Sequence, residues 1–116
     1  MNVATRFSNN AAILDVTGHI DIGSSPALRR AMLNQLKTSE RLAANLAEVK
    51  YIDSSGIASL LEVLKEARVA NKKFVLFGLT AAVREVLQLT RLTGVFEIYE
   101  TEAEAVAIAT RVGGAT

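Results

Sequence analysis

Short apolar runs that stop at a helix-start signal recur through this chain, and that alternation leaves few folds open. Tyr51-Ile52 is followed at once by Asp53-Ser54-Ser55, Phe74-Val75-Leu76-Phe77-Gly78 leads to Thr80, and residues 95–99 lead to Thr101-Glu102-Ala103-Glu104. Side-chain oxygens of Asp, Ser and Thr satisfy first-turn amides, so each string reads as the start of a helix. Thr101 and Glu104 also have the spacing of a capping box. Strands that alternate with helices imply right-handed crossovers and a mostly parallel sheet.

The remaining elements follow from pattern. Residues 3–8 and 11–17 read as extended stretches joined by Asn9-Asn10, a pair that tolerates positive φ and suits a tight hairpin. Gly18-His19-Ile20-Asp21 reads as a loop. Ser24-Ser25-Pro26 opens the first helix, with a serine to cap and a proline in the first turn; Leu28, Met32, Leu36 and Ala31 or Gln35 give its apolar stripe. Residues 41–49 are short and apolar, and Ala43, Ala44 and Ala47 make helix a competing reading. The helix start that follows at Asp53 favours a buried strand.

From Ile57, the apolar Leu60, Leu61, Leu64 and Ala67 recur at helical spacing, with Glu62, Lys65 and Glu66 opposite; Asn71-Lys72-Lys73 ends that helix. A third helix spans about 80–90, capped by Thr80, with Val83, Val86 and Leu87 inward. The last helix runs from Thr101 to near Gly113-Gly114. Val106 and Ala109 mark one of its faces and Ala105, Ile108 and Val112 another, as in a helix half wrapped by its neighbours or one that offers a partner surface or a self-association surface for a homodimer. The order is ββαβαβαβα with four helices. It makes one α/β domain over residues 1–116, a mixed sheet with an N-terminal antiparallel hairpin, and a flexible tail at 113–116.

Composition narrows the function. The chain has 116 residues, enough for a single core, and 5% aromatic residues with no tryptophan, so that core is aliphatic. The net charge is +1 with the basic residues dispersed, which argues against nucleic-acid binding. No cysteine is present, so disulfides and thiolate metal sites are excluded, and no metal-ligand spacing occurs. The one histidine, His19, reads as a surface residue; no serine has an identifiable base, so no enzyme and no cofactor are expected. The absence of a signal pattern and of an apolar run of about 18 residues predicts a cytoplasmic protein without direct membrane insertion.

The segment Asp53-Ser54-Ser55-Gly56 carries the chemistry. It sets two hydroxyls and a carboxylate where a strand's carboxyl end meets a helix's amino end, whose free amides and dipole favour a phosphate. A plain helix cap needs one such side chain, and this site offers three and a glycine. Gly56 would let another backbone, or a bulky group on the neighbouring serine, approach closely.

The order of elements and the string YIDSSGIASLLEVLKEA resemble the STAS domain family of bacterial anti-sigma factor antagonists. The likeness also includes Gly18-His19-Ile20-Asp21, the strand around Asn45-Leu46, FVLFG and the ending VFEIYETEAEAV. Two departures stand out: Arg91, where many members carry a small residue, often glycine, and the alanines around Asn45, where bulkier aliphatics are common.

The resemblance implies a partner switch. Unphosphorylated antagonists bind an anti-sigma serine kinase, phosphorylation of the serine before the glycine releases it, and a serine phosphatase resets the state. That serine is Ser55 here. Ser54 would remain a cap or hydrogen-bonding neighbour, Asp53 would orient the site, and Asp21 would border the same binding face. STAS-like domains also serve as non-phosphorylated accessory subunits of ABC-type membrane transporters, the alternative that the resemblance leaves open.

Overall fold

The computed structural model describes residues 1–8 and 10–107. Its elements are β1 (Asn2–Ser8), β2 (Ala11–Ile20), α1 (Ser25–Thr38), β3 (Arg41–Ile52), α2 (Ser54–Val69), β4 (Lys73–Phe77), α3 (Ala81–Leu89) and β5 (Glu97–Tyr99). A fourth helix, α4, is described over 102–107. The expected end of that helix near Gly113-Gly114, its positions Ile108, Ala109 and Val112, and the tail at 113–116 lie outside the described residues.

The sheet runs β1-β2-β3-β4-β5, with β1 antiparallel to β2 and every later pair parallel. Because each crossover steps to the next strand in one direction with the same hand, α1, α2 and α3 all fall on one face. Alternating strand residues then divide between two layers. Ala12, Leu14 and Val16 of β2, Leu42, Ala44 and Leu46 of β3 and Phe74 and Leu76 of β4 meet Leu28, Met32, Leu60, Val63, Val83 and Leu87 of the helices. Ile13, Ala43, Val75 and Phe77 point to the opposite face, where Ala105 and Val106 cover them.

Local signals explain most boundaries. Asn10 takes φ 65° in the hairpin. Thr80 caps α3 by accepting from the Val83 amide at 3.3 Å, and its hydroxyl donates to the Val49 carbonyl at 2.9 Å. The capping box forms: the Glu104 amide donates to Thr101 Oγ1 at 3.2 Å, and the Thr101 amide to Glu104 Oε1 at 3.1 Å.

Tertiary context moves two expected boundaries. Gly18-His19-Ile20 is strand rather than loop, because two register shifts in the β2–β3 ladder keep β2 paired as far as Ile20. The last strand is shorter than 95–99, because the Val95 amide closes a turn onto the Leu92 carbonyl before β5 begins. The competing helix reading of residues 41–49 loses, since Ala43 and Ala44 are buried on opposite faces of a central strand.

A clamp fastens α4. Arg6 on β1 donates to Asp15 on β2 from Nε at 2.7 Å and from Nη2 at 3.1 Å, and to Glu102 on α4 from Nη1 at 2.9 Å and from Nη2. Asn45 adds a bond to Asp15 at 2.8 Å. Hydrogen bonds from Arg6 are the main reason that both carboxyls lie below their ordinary range. A carboxyl held low in the folded state stabilises the fold above its unfolded pKa and loses that contribution as pH falls through the lowered one. The clamp should therefore weaken on acidification below about pH 4, by a small amount because the pairs are partly exposed. Arg6→Met is expected to return both titrations towards ordinary carboxyl values in carbon-detected NMR. Unchanged midpoints would mean the clamp is not populated in solution.

Candidate functional site

Parallel strands that end level with each other deliver their following turns to one place. Ile20 pairs with Ile52 at the ends of β2 and β3, and the Asp53 amide donates to the Ile20 carbonyl at 3.1 Å. The turn 21–24, which leads to α1, and Asp53, which leads to α2, therefore leave the carboxyl edge of the sheet side by side.

Asp53 is the N-cap of α2. Its Oδ1 accepts from the Ser55 amide at 2.9 Å, the Gly56 amide at 3.2 Å and the Ser55 hydroxyl at 2.5 Å. The Ser55 hydroxyl bond is the largest influence holding the Asp53 carboxyl below its ordinary range. The amides of Gly56, Ser55 and Ile22 add to it against the opposing effect of desolvation. Ser55 is half-buried with its proton directed at a carboxylate. Ser54 is exposed, and its hydroxyl makes no hydrogen bond to the described residues. The expectation of Ser54 as a cap gives way to Asp53, whose carboxylate already takes the amides of the next two residues.

Gly56 is buried, and its role differs from the one expected. A Cβ there would come within 2.6 Å of Ile52 Cγ1 and 2.7 Å of Ile20 Cγ2. The close approach that needs glycine is therefore to the core: α2 sits directly on the paired isoleucines.

Asp21 heads an Asx turn. Its Oδ1 accepts from the Gly23 amide at 3.0 Å and the Ser24 amide at 3.1 Å, and its carbonyl accepts from the Ser25 amide at 2.7 Å. Ser24 does not cap α1 with its side chain as its position suggested. Its hydroxyl instead accepts from the Asp21 amide at 2.9 Å and donates to the His19 carbonyl at 3.0 Å. An Asp three residues before a Ser is the sequence signal for such a turn. His19 is exposed on β2 beside Tyr51, with ring centroids 5.9 Å apart.

Asp21, Asp53, Ser55 and Gly56 thus share one corner of the molecule. Ile20 and Ile22 belong to it too, although nothing in the sequence marks them, because their placement depends on strand register and on the turn. Among the described residues no group of three or more His, Cys, Asp or Glu side chains could hold a metal ion. No described helix is long and apolar enough to cross a membrane.

The STAS domain family model matches residues 2–105. An anti-sigma-B factor antagonist of Listeria monocytogenes is 32% identical over 90 residues, which cover 77% of this chain and 79% of that one. Among solved structures, the anti-sigma factor antagonist SpoIIAA in its unphosphorylated form matches with a TM-score of 0.77 at 20% identity, over 97% of each chain. A sulfate transporter family protein from Wolinella succinogenes matches with a TM-score of 0.78 at 16% identity, over 90% of this chain and 88% of that one. At such identities the two structures speak for the fold alone. The family assignment rests on the matched model and the Listeria relative: this chain belongs to the STAS domain family.

Proposed function

We propose that this protein is an anti-sigma factor antagonist in a phosphorylation-controlled partner switch. In its unphosphorylated form it binds an anti-sigma serine kinase in the cytoplasm; phosphorylation of Ser55 releases that kinase, and a serine phosphatase restores binding. The observation that carries this reading is the Ser55 hydroxyl, held by Asp53 at the amino end of α2. Asp53 fixes the hydroxyl in one orientation and already accepts a hydrogen bond from its proton. In the transfer, a bond forms between Ser55 Oγ and the γ-phosphorus of ATP, the bond between that phosphorus and the leaving oxygen of ADP breaks, and a base of the kinase takes the hydroxyl proton. The kinase supplies the catalysis, and the antagonist acts by binding.

The fold suits such a change. A phosphate adds about −1.5 to −2 charges at neutral pH. The amino end of α2 tolerates that charge, whereas a packed interface beside Asp53 does not. The Listeria relative, named as an anti-sigma-B factor antagonist, supports this reading over that of a transporter accessory subunit. Incubation with the organism's anti-sigma kinase and ATP should place one phosphate on Ser55, read by tandem mass spectrometry, and none on Ser54. Phosphate on Ser54, or on neither residue, would remove the switch. Co-purification with an ABC ATPase and permease, with no kinase, would favour the transporter reading.

A further inference from the structure

Ile22 is the most exposed large apolar side chain among the described residues, at 80%. Single exposed aliphatics are ordinary on protein surfaces and need no explanation. Two features set this one apart. The first is its support. The turn that presents Ile22 is closed by the bonds of Asp21 to Gly23 and Ser24, and of Ser24 to Asp21 and His19. A side chain on so constrained a backbone has little backbone freedom left to lose when a partner covers it, which is how preorganisation raises affinity.

The second is its connection to the switch. The turn that carries Ile22 follows directly on Ile20, whose carbonyl accepts from the amide of Asp53, the residue whose carboxylate binds the Ser55 hydroxyl. A protein that covers Ser55 at this corner therefore also meets Ile22. The two other aliphatics of comparable exposure, Val69 and Leu89, end α2 and α3 at the opposite edge of the sheet and do not join this surface. The surroundings of Ile22 carry the carboxylates of Asp21 and Asp53. Charge complementarity then calls for a partner with cationic groups around an apolar recess.

We propose that Ile22 is the apolar anchor of the partner-binding surface. It fills a nonpolar pocket on the anti-sigma kinase whose rim carries a cationic side chain facing Asp21 and Asp53. This rests on the reading of Ser55 as the switch point. It also deepens that reading: a phosphate on Ser55 adds bulk and charge that must be desolvated before the partner can close over Ile22, so the anchor and the switch act on one contact.

The test titrates each purified anti-sigma kinase of the source organism with the unphosphorylated full-length protein by calorimetry, beside thermal unfolding of every variant. Ile22→Ala should weaken binding by about tenfold or more, with an unfolding temperature equal to wild type because the side chain is exposed. Ile22→Leu, which keeps the apolar volume, should stay within about threefold. If Ile22→Ala binds like wild type while Ser55→Asp does not bind, the anchor is overturned and the switch stands. An equal loss in Ile22→Leu and Ile22→Ala would overturn a simple apolar anchor. If wild type binds none of these kinases, the switch reading fails and takes the anchor with it.

Discussion

Ser55→Asp is expected to weaken binding to the anti-sigma kinase about a hundredfold, equivalent to about 3 kcal/mol, while Ser55→Ala stays close to wild type. The wild-type hydroxyl donates to Asp53 Oδ1 at 2.5 Å. A carboxylate at position 55 removes that donor and sets two like charges at the amino end of α2. The helix itself accommodates the charge, since unpaired first-turn amides and the helix dipole favour an anion there. The penalty appears when a partner closes over the site and strips water from both carboxylates. Alanine removes the hydroxyl but leaves Asp53 bonded to the Ser55 and Gly56 amides, so the cap survives. Calorimetric titration separates the two variants. Equal affinity of Ser55→Asp and wild type would mean that charge at this corner does not control binding.

Gly56→Ala should lower stability by about 1–3 kcal/mol, read as a reduced urea midpoint. The opposite sign would be the ordinary expectation, because alanine is favoured over glycine inside a helix by about 1 kcal/mol. Two buried β-branched side chains decide the outcome. Ile20 and Ile52 stand 2.7 Å and 2.6 Å from where the new methyl would sit, and both belong to the core. Making room would push α2 off the sheet and carry Asp53 and Ser55 with it. A neutral or stabilising Gly56→Ala would show that the isoleucines yield easily and that close packing is not the reason for glycine.

Arg91, where the resemblance implied a small residue, has a physical account in the structure. It follows the end of α3 with φ 60°, donating its amide to the Gln88 carbonyl while the Leu92 amide reaches the Leu87 carbonyl at 2.8 Å. That left-handed position is where glycine commonly ends a helix. The arginine keeps the geometry at a cost of about 1 kcal/mol.

Helix starts were legible because their chemistry is local. Asp53, Thr80 and the Thr101–Glu104 pair lie within three residues of the amides they serve. The apolar stripes of α1, α2 and α3 were legible for the same reason: periodicity survives without knowledge of what covers it. The sequence by itself determined the order of elements and the candidate serine at the start of α2. Propensity alone left residues 41–49 between helix and strand, and only the helix start at Asp53 favoured strand; the sequence misjudged Ser24, Ser54 and Gly56, whose partners are set by how neighbouring segments meet.

Only the tertiary structure decided those relations. Consecutive strand order put α1, α2 and α3 on one face and left the other to α4, held there by Ala105, Val106 and the Arg6 clamp. Register set Ile20 beside Ile52, so that the turn carrying Asp21 and Ile22 leaves the sheet beside Asp53. Capping depends on a few adjacent residues, whereas register and layering depend on the side-chain volumes of segments far apart in the chain. The sequence therefore marked the serine, and the fold built the surface around it.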